Sequence, residues 1–275
     1  IYTTTMLSDY HRYRLSEILP GLSIWLTLII ALVLSFVRPL WMIYAVIVFD
    51  VYWVLRVINF SFYLIISWLR FHRVRGIDWK EKLKHDHIDV AKKQHVIFLT
   101  LYKEEWDVVK TAIQSIADAT YDRTKFTIVI AGEARAQEHF DSIVFETKKK
   151  FTASFADIIG IAHPENLPDE IPGKGSNLQY AESQMKEYID EKKWEYSDVI
   201  ATVFDIDTIC HHQYFAYLTY TYCTHPNPTR SSYQPIALYN NNIWESPSVL
   251  RIMSFGTTFW MFTALARQDA LVTFS

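Results

Sequence analysis

The chain has 275 residues, enough for one large domain or two small ones. Half of them are hydrophobic and 16% aromatic, more than a soluble chain of this size carries, so part of it is expected to meet lipid. A net charge of −3 excludes an overall basic field for nucleic acid, and the two cysteines, Cys210 and Cys223, exclude a disulfide framework and a C-x-x-C metal site. Both cysteines read instead as small buried hydrophobes in a reducing compartment. The chain begins on Ile1 rather than Met and closes on a strand-like Leu271-Val272-Thr273-Phe274, so both ends read as cuts through a longer protein.

In chain order, residues 1–17 form a polar segment with Arg12 and Arg14. Residues 18–37 then run without a formal charge, about the ~20 residues a helix needs to cross a bilayer. Arg38-Pro39 interrupts, and 40–69 is a second hydrophobic run carrying Asp50 and Arg56, long enough that part of it tilts or lies at the interface. Residues 18–69 are therefore expected to be a transmembrane helical hairpin. Asp50 and Arg56 are six apart, off one helical face, so they do not form an obvious pair inside it. Arg70, Arg73, Arg75, Lys80, Lys82 and Lys84 crowd the exit, while the turn holds only Arg38. By the positive-inside rule both ends face the cytoplasm, as for an integral protein of a bacterial inner membrane.

After a basic juxtamembrane linker over 70–94, whose charged stretch 80–94 reads as a linker or a surface helix, hydrophobic periodicity alternates. Strands are expected over 96–101, 126–130, 157–162 and 199–204, with helices over 104–119, 135–151, 177–190 and 211–223. Ser176 with Gln179 suits a capping box for the third of these helices. This alternation predicts an α/β domain over 95–275 with a mainly parallel sheet.

The chemistry gathers at strand ends, where open α/β sheets bind ligands. The fourth strand stops on Asp205-Ile206-Asp207, whose carboxylates share a face while the strand continues and can converge on one divalent ion. An ordinary acidic loop has the same composition. The first strand runs into Leu101-Tyr102-Lys103-Glu104 and the second into Gly132-Glu133. The third leads through a Pro-rich loop to Gly173-Lys174-Gly175-Ser176-Asn177. That last stretch lacks the first Gly of a Walker A loop, but a helix start with one cation still suits a phosphate. Thr208 directly after Asp207, on a fourth strand rather than a first, speaks against the Asp-x-Asp-x-Thr nucleophile of haloacid-dehalogenase phosphatases.

In their order these pieces resemble the membrane-bound family 2 glycosyltransferases, the processive group of cellulose, chitin and hyaluronan synthases. Tyr102-Lys103-Glu104 stands where that family has Tyr-Asn-Glu. Glu133 stands near the acid that contacts the base, Gly173-Lys174-Gly175-Ser176-Asn177-Leu178 is similar to its Gly-Lys-x-x-Asn-Leu loop, and Asp205-Ile206-Asp207 to its Asp-x-Asp. The resemblance implies a Rossmann-like GT-A domain behind a two-helix membrane hairpin. It also implies a nucleotide-sugar donor, a UDP-sugar first, and a glycan or lipid acceptor. Tyr102, Glu104, Glu133, Lys174, Asn177 and Asp205 would hold the donor, and Asp205 with Asp207 would hold Mg²⁺ or Mn²⁺.

The sequence departs from the family in three ways. Glu133 replaces the usual Asp. The Thr-Glu-Asp base motif is not spelled between Thr208 and Ser275, where Gln268-Asp269 is a poor match, and Gln-x-x-Arg-Trp is absent. The general base is accordingly expected beyond Ser275. Gln234 and Trp244 lie in a polar, aromatic stretch that suits an acceptor, or equally a strand with the Asn-rich turn 240–242. Phe255, Thr258, Phe259, Phe262 and Leu265 mark one face of a helix for the membrane surface or for the core. The alternative from another class is a catalytically idle membrane scaffold that binds nucleotide sugars.

Overall fold

Two long apolar helices come first. In the computed structural model, which describes residues 9–165, 173–239, 243–244 and 246–267, α1 runs Asp9–Val37 and α2 Pro39–Arg75, with Arg38 alone between them. Pro39 suits the first position of a helix, where its fixed φ is pre-set and its missing N–H is not needed. Ser23, Thr27 and Ser35 of α1 donate to carbonyls three or four residues back, which satisfies each hydroxyl without water. Both helices are long and apolar enough to cross a membrane, and so is a third, α8 (Ser248–Ala266). These helices associate the chain with a lipid bilayer. Periodicity alone assigns α8 to the membrane surface or to the core.

The chain divides into two compact units, one ending at Ser67 and the other beginning at Trp68. Helix already starts at Asp9, inside the segment expected to be merely polar, where Arg14 and Glu17 pair at 2.5 Å. The charged stretch after α2, expected as a linker or a surface helix, is helical in its first part. α2 continues to Arg75, and α3 (Trp79–His85) is capped by Asp78, whose carboxylate accepts from the Glu81 N–H at 3.1 Å. Trp79 fixes α3 by packing its ring, tilted, against Tyr217 and Tyr220, with centroids 4.4 and 5.1 Å away.

The second unit is an α/β fold on a four-stranded, wholly parallel sheet. Its strands are β1 (Gln94–Thr100), β2 (Phe126–Glu133), β3 (Asp157–His163) and β4 (Val199–Asp205), in the order β3-β2-β1-β4. Between them run α4 (Trp106–Ala117), α5 (Gln137–Phe151) and α6 (Lys174–Glu191), with α7 (Tyr214–Thr224) after β4. Strand order therefore reverses between β1 and β4, the switch point at which such sheets open a crevice.

Alternation along each strand divides the core in two. Ile97, Leu99, Ile128, Ile130 and Phe204 pack with Val109, Ile113 and Ile116 of α4, Phe140 and Ile143 of α5, and Phe215 of α7. Val96, Phe98, Val129 and Ala131 face the other way, onto Ala181 and Met185 of α6. Helices on both faces are what an all-parallel sheet requires. α5 comes close because of two glycines. A Cβ on Gly132 would lie 2.3 Å from the Phe140 ring, and one on Gly160 2.8 Å from Val144, so a side chain at either would push α5 away from the end of β2. On β4 the burial alternates strictly, leaving Ala201, Val203 and Asp205 open on one face.

Candidate functional site

Register aligns the strand ends. Thr100 of β1 pairs with Ala131 of β2 on one side and with Asp205 of β4 on the other. Tyr102 and Glu133, each two residues further on, and Asp205 therefore leave the sheet along one edge. α6 supplies the remaining parts. Its N-cap is Gly173, and Ser176, the third helical residue, accepts from the Gly173 N–H at 3.2 Å and donates to the Gly173 carbonyl at 2.8 Å. This corrects the expected capping box. Ser176 is the third helical residue rather than the N-cap, because the helix starts three residues before Asn177, and with glycine at the N-cap only the Ser176 half of a box forms. A Cβ on Gly173 or Gly175 would meet nothing within 4 Å, so neither glycine serves packing, and the backbone at the helix start stays open to approach. The Pro-rich loop over 166–172 lies outside the described residues, as do 240–242 and Gln268-Asp269.

Two ionic groups stand on the first turn of α6. Asn177, buried, donates from Nδ2 to Glu133 Oε1 at 3.0 Å. The other oxygen of Glu133 pairs with Arg135, holding that guanidinium above its ordinary pKa. Arg135 in turn lies over the Tyr102 ring, its Cζ 4.8 Å from the centroid, and the Lys103 ammonium is 5.0 Å from the same ring. Tyr102 keeps 41% of its surface exposed. Glu104 braces the loop beneath it, its Oε2 accepting from the backbone N–H of Tyr102 at 2.7 Å and of Lys103 at 3.1 Å. In the second group Lys174 pairs directly with Asp205, both well exposed. Lys174 and Asn177, three apart on α6, are neighbours on its surface, so one helical turn joins the two groups.

The acidic pair differs from expectation in one respect. β4 ends at Asp205, and the chain turns at once, the Thr208 N–H donating to the Asp205 carbonyl at 2.9 Å. Ile206 fills the core at 1% exposure, and that anchoring forces the turn. The two carboxylates therefore occupy the first and third positions of a β-turn instead of sharing a continuing strand face. Both are exposed and offer the oxygen donors that Mg²⁺ or Mn²⁺ takes. Among the described residues no group of three His, Cys, Asp or Glu is placed to hold a metal ion. Asp205 and Asp207 would be the cation's side-chain donors among the described residues, and ligands from elsewhere would have to complete its shell.

Of the predicted site residues, Tyr102, Glu104, Glu133, Lys174, Asn177 and Asp205 come together at the strand ends, and Asp207 follows on the turn. Among the described residues Gln234 and Trp244 make their contacts elsewhere. Gln234 bonds the neighbouring Pro235 carbonyl, and Trp244, 78% exposed, has the Arg251 guanidinium 6.0 Å from its ring. Arg135 was read only as the start of a helix, yet it links Glu133 to Tyr102. A cation two residues past a strand-end carboxylate is the signal that marks it. His139 belongs here too, its Nε2 lying 3.1 Å from the Glu104 carbonyl. An open depression beside Tyr102 is lined by Lys103, Glu105, Arg135, Gln137, Glu138 and His139. No protein-family model and no curated protein matches the chain.

Proposed function

We propose that the chain is a membrane-bound, inverting glycosyltransferase with a GT-A domain. It holds a nucleotide sugar, a UDP-sugar first, at the C-terminal edge of its sheet and passes the sugar to a glycan or lipid acceptor. The observation that carries this reading is the meeting of an exposed aromatic ring, a tethered carboxylate, a cation at a helix start and an acidic turn along one edge, where strand order reverses. Each suits one part of such a donor. Tyr102 offers a face to the base, and Glu133, steadied by Asn177 and Arg135, accepts from its ring N–H. The N-terminus of α6 and Lys174 attract the diphosphate. A Mg²⁺ or Mn²⁺ ion on Asp205 and Asp207 would supply neutralising charge to the diphosphate. Asp205 would then exchange its present partner, leaving Lys174 for the phosphates. The basic residues from Arg70 to Lys84 favour a cytoplasmic catalytic domain on a bacterial inner membrane.

The test is sugar transfer from UDP-sugars with Mn²⁺ by the protein in membranes, wild type against Asp207→Ala. Loss of roughly 100-fold or more is expected if the carboxylate serves leaving-group departure. Equal transfer by the variant would overturn the metal assignment. UDP binding with no transfer by wild type would favour the idle scaffold.

A further inference from the structure

α8 is built inside out. Over its first thirteen residues the half-buried positions are Arg251, Ser254 and Thr258, spaced three and four apart on one stripe. Turned outward instead are Val249, Ile252, Met253, Phe255, Phe259 and Trp260, with Val249 68% and Ile252 72% exposed. A helix on a water-facing surface shows the reverse arrangement. The polar side chains of α8 are also satisfied internally. Ser254, Thr257 and Thr258 donate to the carbonyls four residues back, at 2.9 to 3.0 Å. Arg251 donates from Nε to the Ser246 carbonyl at 3.0 Å. Among the outward residues, Gly256 leaves a shallow furrow lined by Met253, Thr257 and Trp260.

The environment changes again in the last turns. Met261, Phe262, Thr263 and Ala264 are buried. Phe262 packs on Trp68 at 6.0 Å and Phe71 at 5.4 Å, in the closing turns of α2, and the Ala237 N–H reaches Met261 Sδ at 3.1 Å. The expected single face through Phe255, Phe259 and Phe262 is thus split, its first two members exposed and its third in the core. The burial also limits reach. Ser248 to Trp260 is thirteen residues, about 20 Å of helix, short of the ~30 Å of hydrocarbon in a bilayer.

We infer that α8 is an interfacial helix, lying in the headgroup region with its outward apolar side in lipid rather than crossing the membrane. Lipid is the occupant because the helix that bears the exposed side ends, through the buried Phe262, on the Trp68–Phe71 aromatic cluster of α2. There Arg70, Arg73 and Arg75 mark the level where anionic headgroups sit. A crossing helix would have to carry the buried Met261 end and the Ala237 backbone with it. The inference rests on the membrane helices and holds whether or not the strand ends take a nucleotide sugar.

The test uses the full chain in liposomes of phosphatidylcholine and phosphatidylglycerol, with Cys210→Ala and Cys223→Ala. One nitroxide at a time is placed at Val249→Cys, Ile252→Cys, Met253→Cys or Phe259→Cys, all exposed sites where a label displaces no core. Depth is read from oxygen against water-soluble nickel-chelate accessibility and calibrated on Leu28→Cys and Leu32→Cys in α1. The four labels are expected at one shallow depth, about 5–10 Å below the headgroups. A depth that changes by about 1.5 Å per residue through the bilayer centre would mean a crossing helix. Greater access for the nickel chelate at all four sites would mean that the face meets water, and exclusion of both probes that it meets another protein. Any of these results overturns the inference.

Discussion

The sheet has two unlike regions, its buried middle and its C-terminal rim. In the middle His95 is fully buried, its ring edge-on to Tyr121, Phe126 and Phe215 at 5.0 to 5.5 Å. Thr219 gives its own hydroxyl proton to the Phe215 carbonyl, so it accepts from His95 Nε2–H at 2.9 Å, which leaves Nδ1 bare and the ring neutral. At the rim charged side chains face one another in pairs, as in Lys174–Asp205 and Glu133–Arg135. The middle excludes charge and holds the fold. The rim gathers charge and contributes little stability, so substitutions should separate the two.

The largest effect belongs to the middle. Phe126→Ala is expected to cost about 3–5 kcal/mol through the cavity it leaves, seen as a lowered midpoint in chemical denaturation of the detergent-solubilised chain. Next comes acid sensitivity. Burial pushes the His95 pKa down to about 3 from an ordinary 6.5, so the unfolded chain takes up a proton before the folded one does. Stability from this group is complete above pH 6.5 and falls as pH drops toward 3, by up to about 1.4 kcal/mol per unit. His95→Leu should flatten that slope in denaturation curves between pH 6.5 and 4.5, and an unchanged slope would place the titration elsewhere.

At the rim, Asn177→Ala removes a buried donor to a carboxylate and is expected to cost about 1–3 kcal/mol, together with weaker UDP binding. The smallest stability effect is that of Lys174→Ala, under about 1 kcal/mol because the pair is exposed. If Lys174→Ala destabilised as much as Phe126→Ala, the distinction between middle and rim would fail.

Much of the middle is legible in sequence because burial on both faces of a parallel sheet writes itself as unbroken runs such as Val96-Ile97-Phe98-Leu99 and Thr127-Ile128-Val129-Ile130. The rim is legible as residue types but not as partners. Asp205 and Lys174 are 31 positions apart, and only the placement of β4 beside β1 lets them pair. Arg135 escaped notice because a helix start explained it locally. The turn at Ile206-Asp207 escaped because periodicity does not reveal which apolar residue the core will capture. α8 shows the same limit, since its environment changes along the helix and not only around it.

The most direct test of the central account is calorimetric titration of UDP with Mn²⁺ into the full chain in nanodiscs, wild type beside Lys174→Ala. The account predicts saturable binding by wild type and an affinity about tenfold lower or worse in the variant, the loss of one charge-assisted contact, with the denaturation midpoint nearly unchanged. Equal affinity in the two proteins, or no binding by wild type, would contradict it.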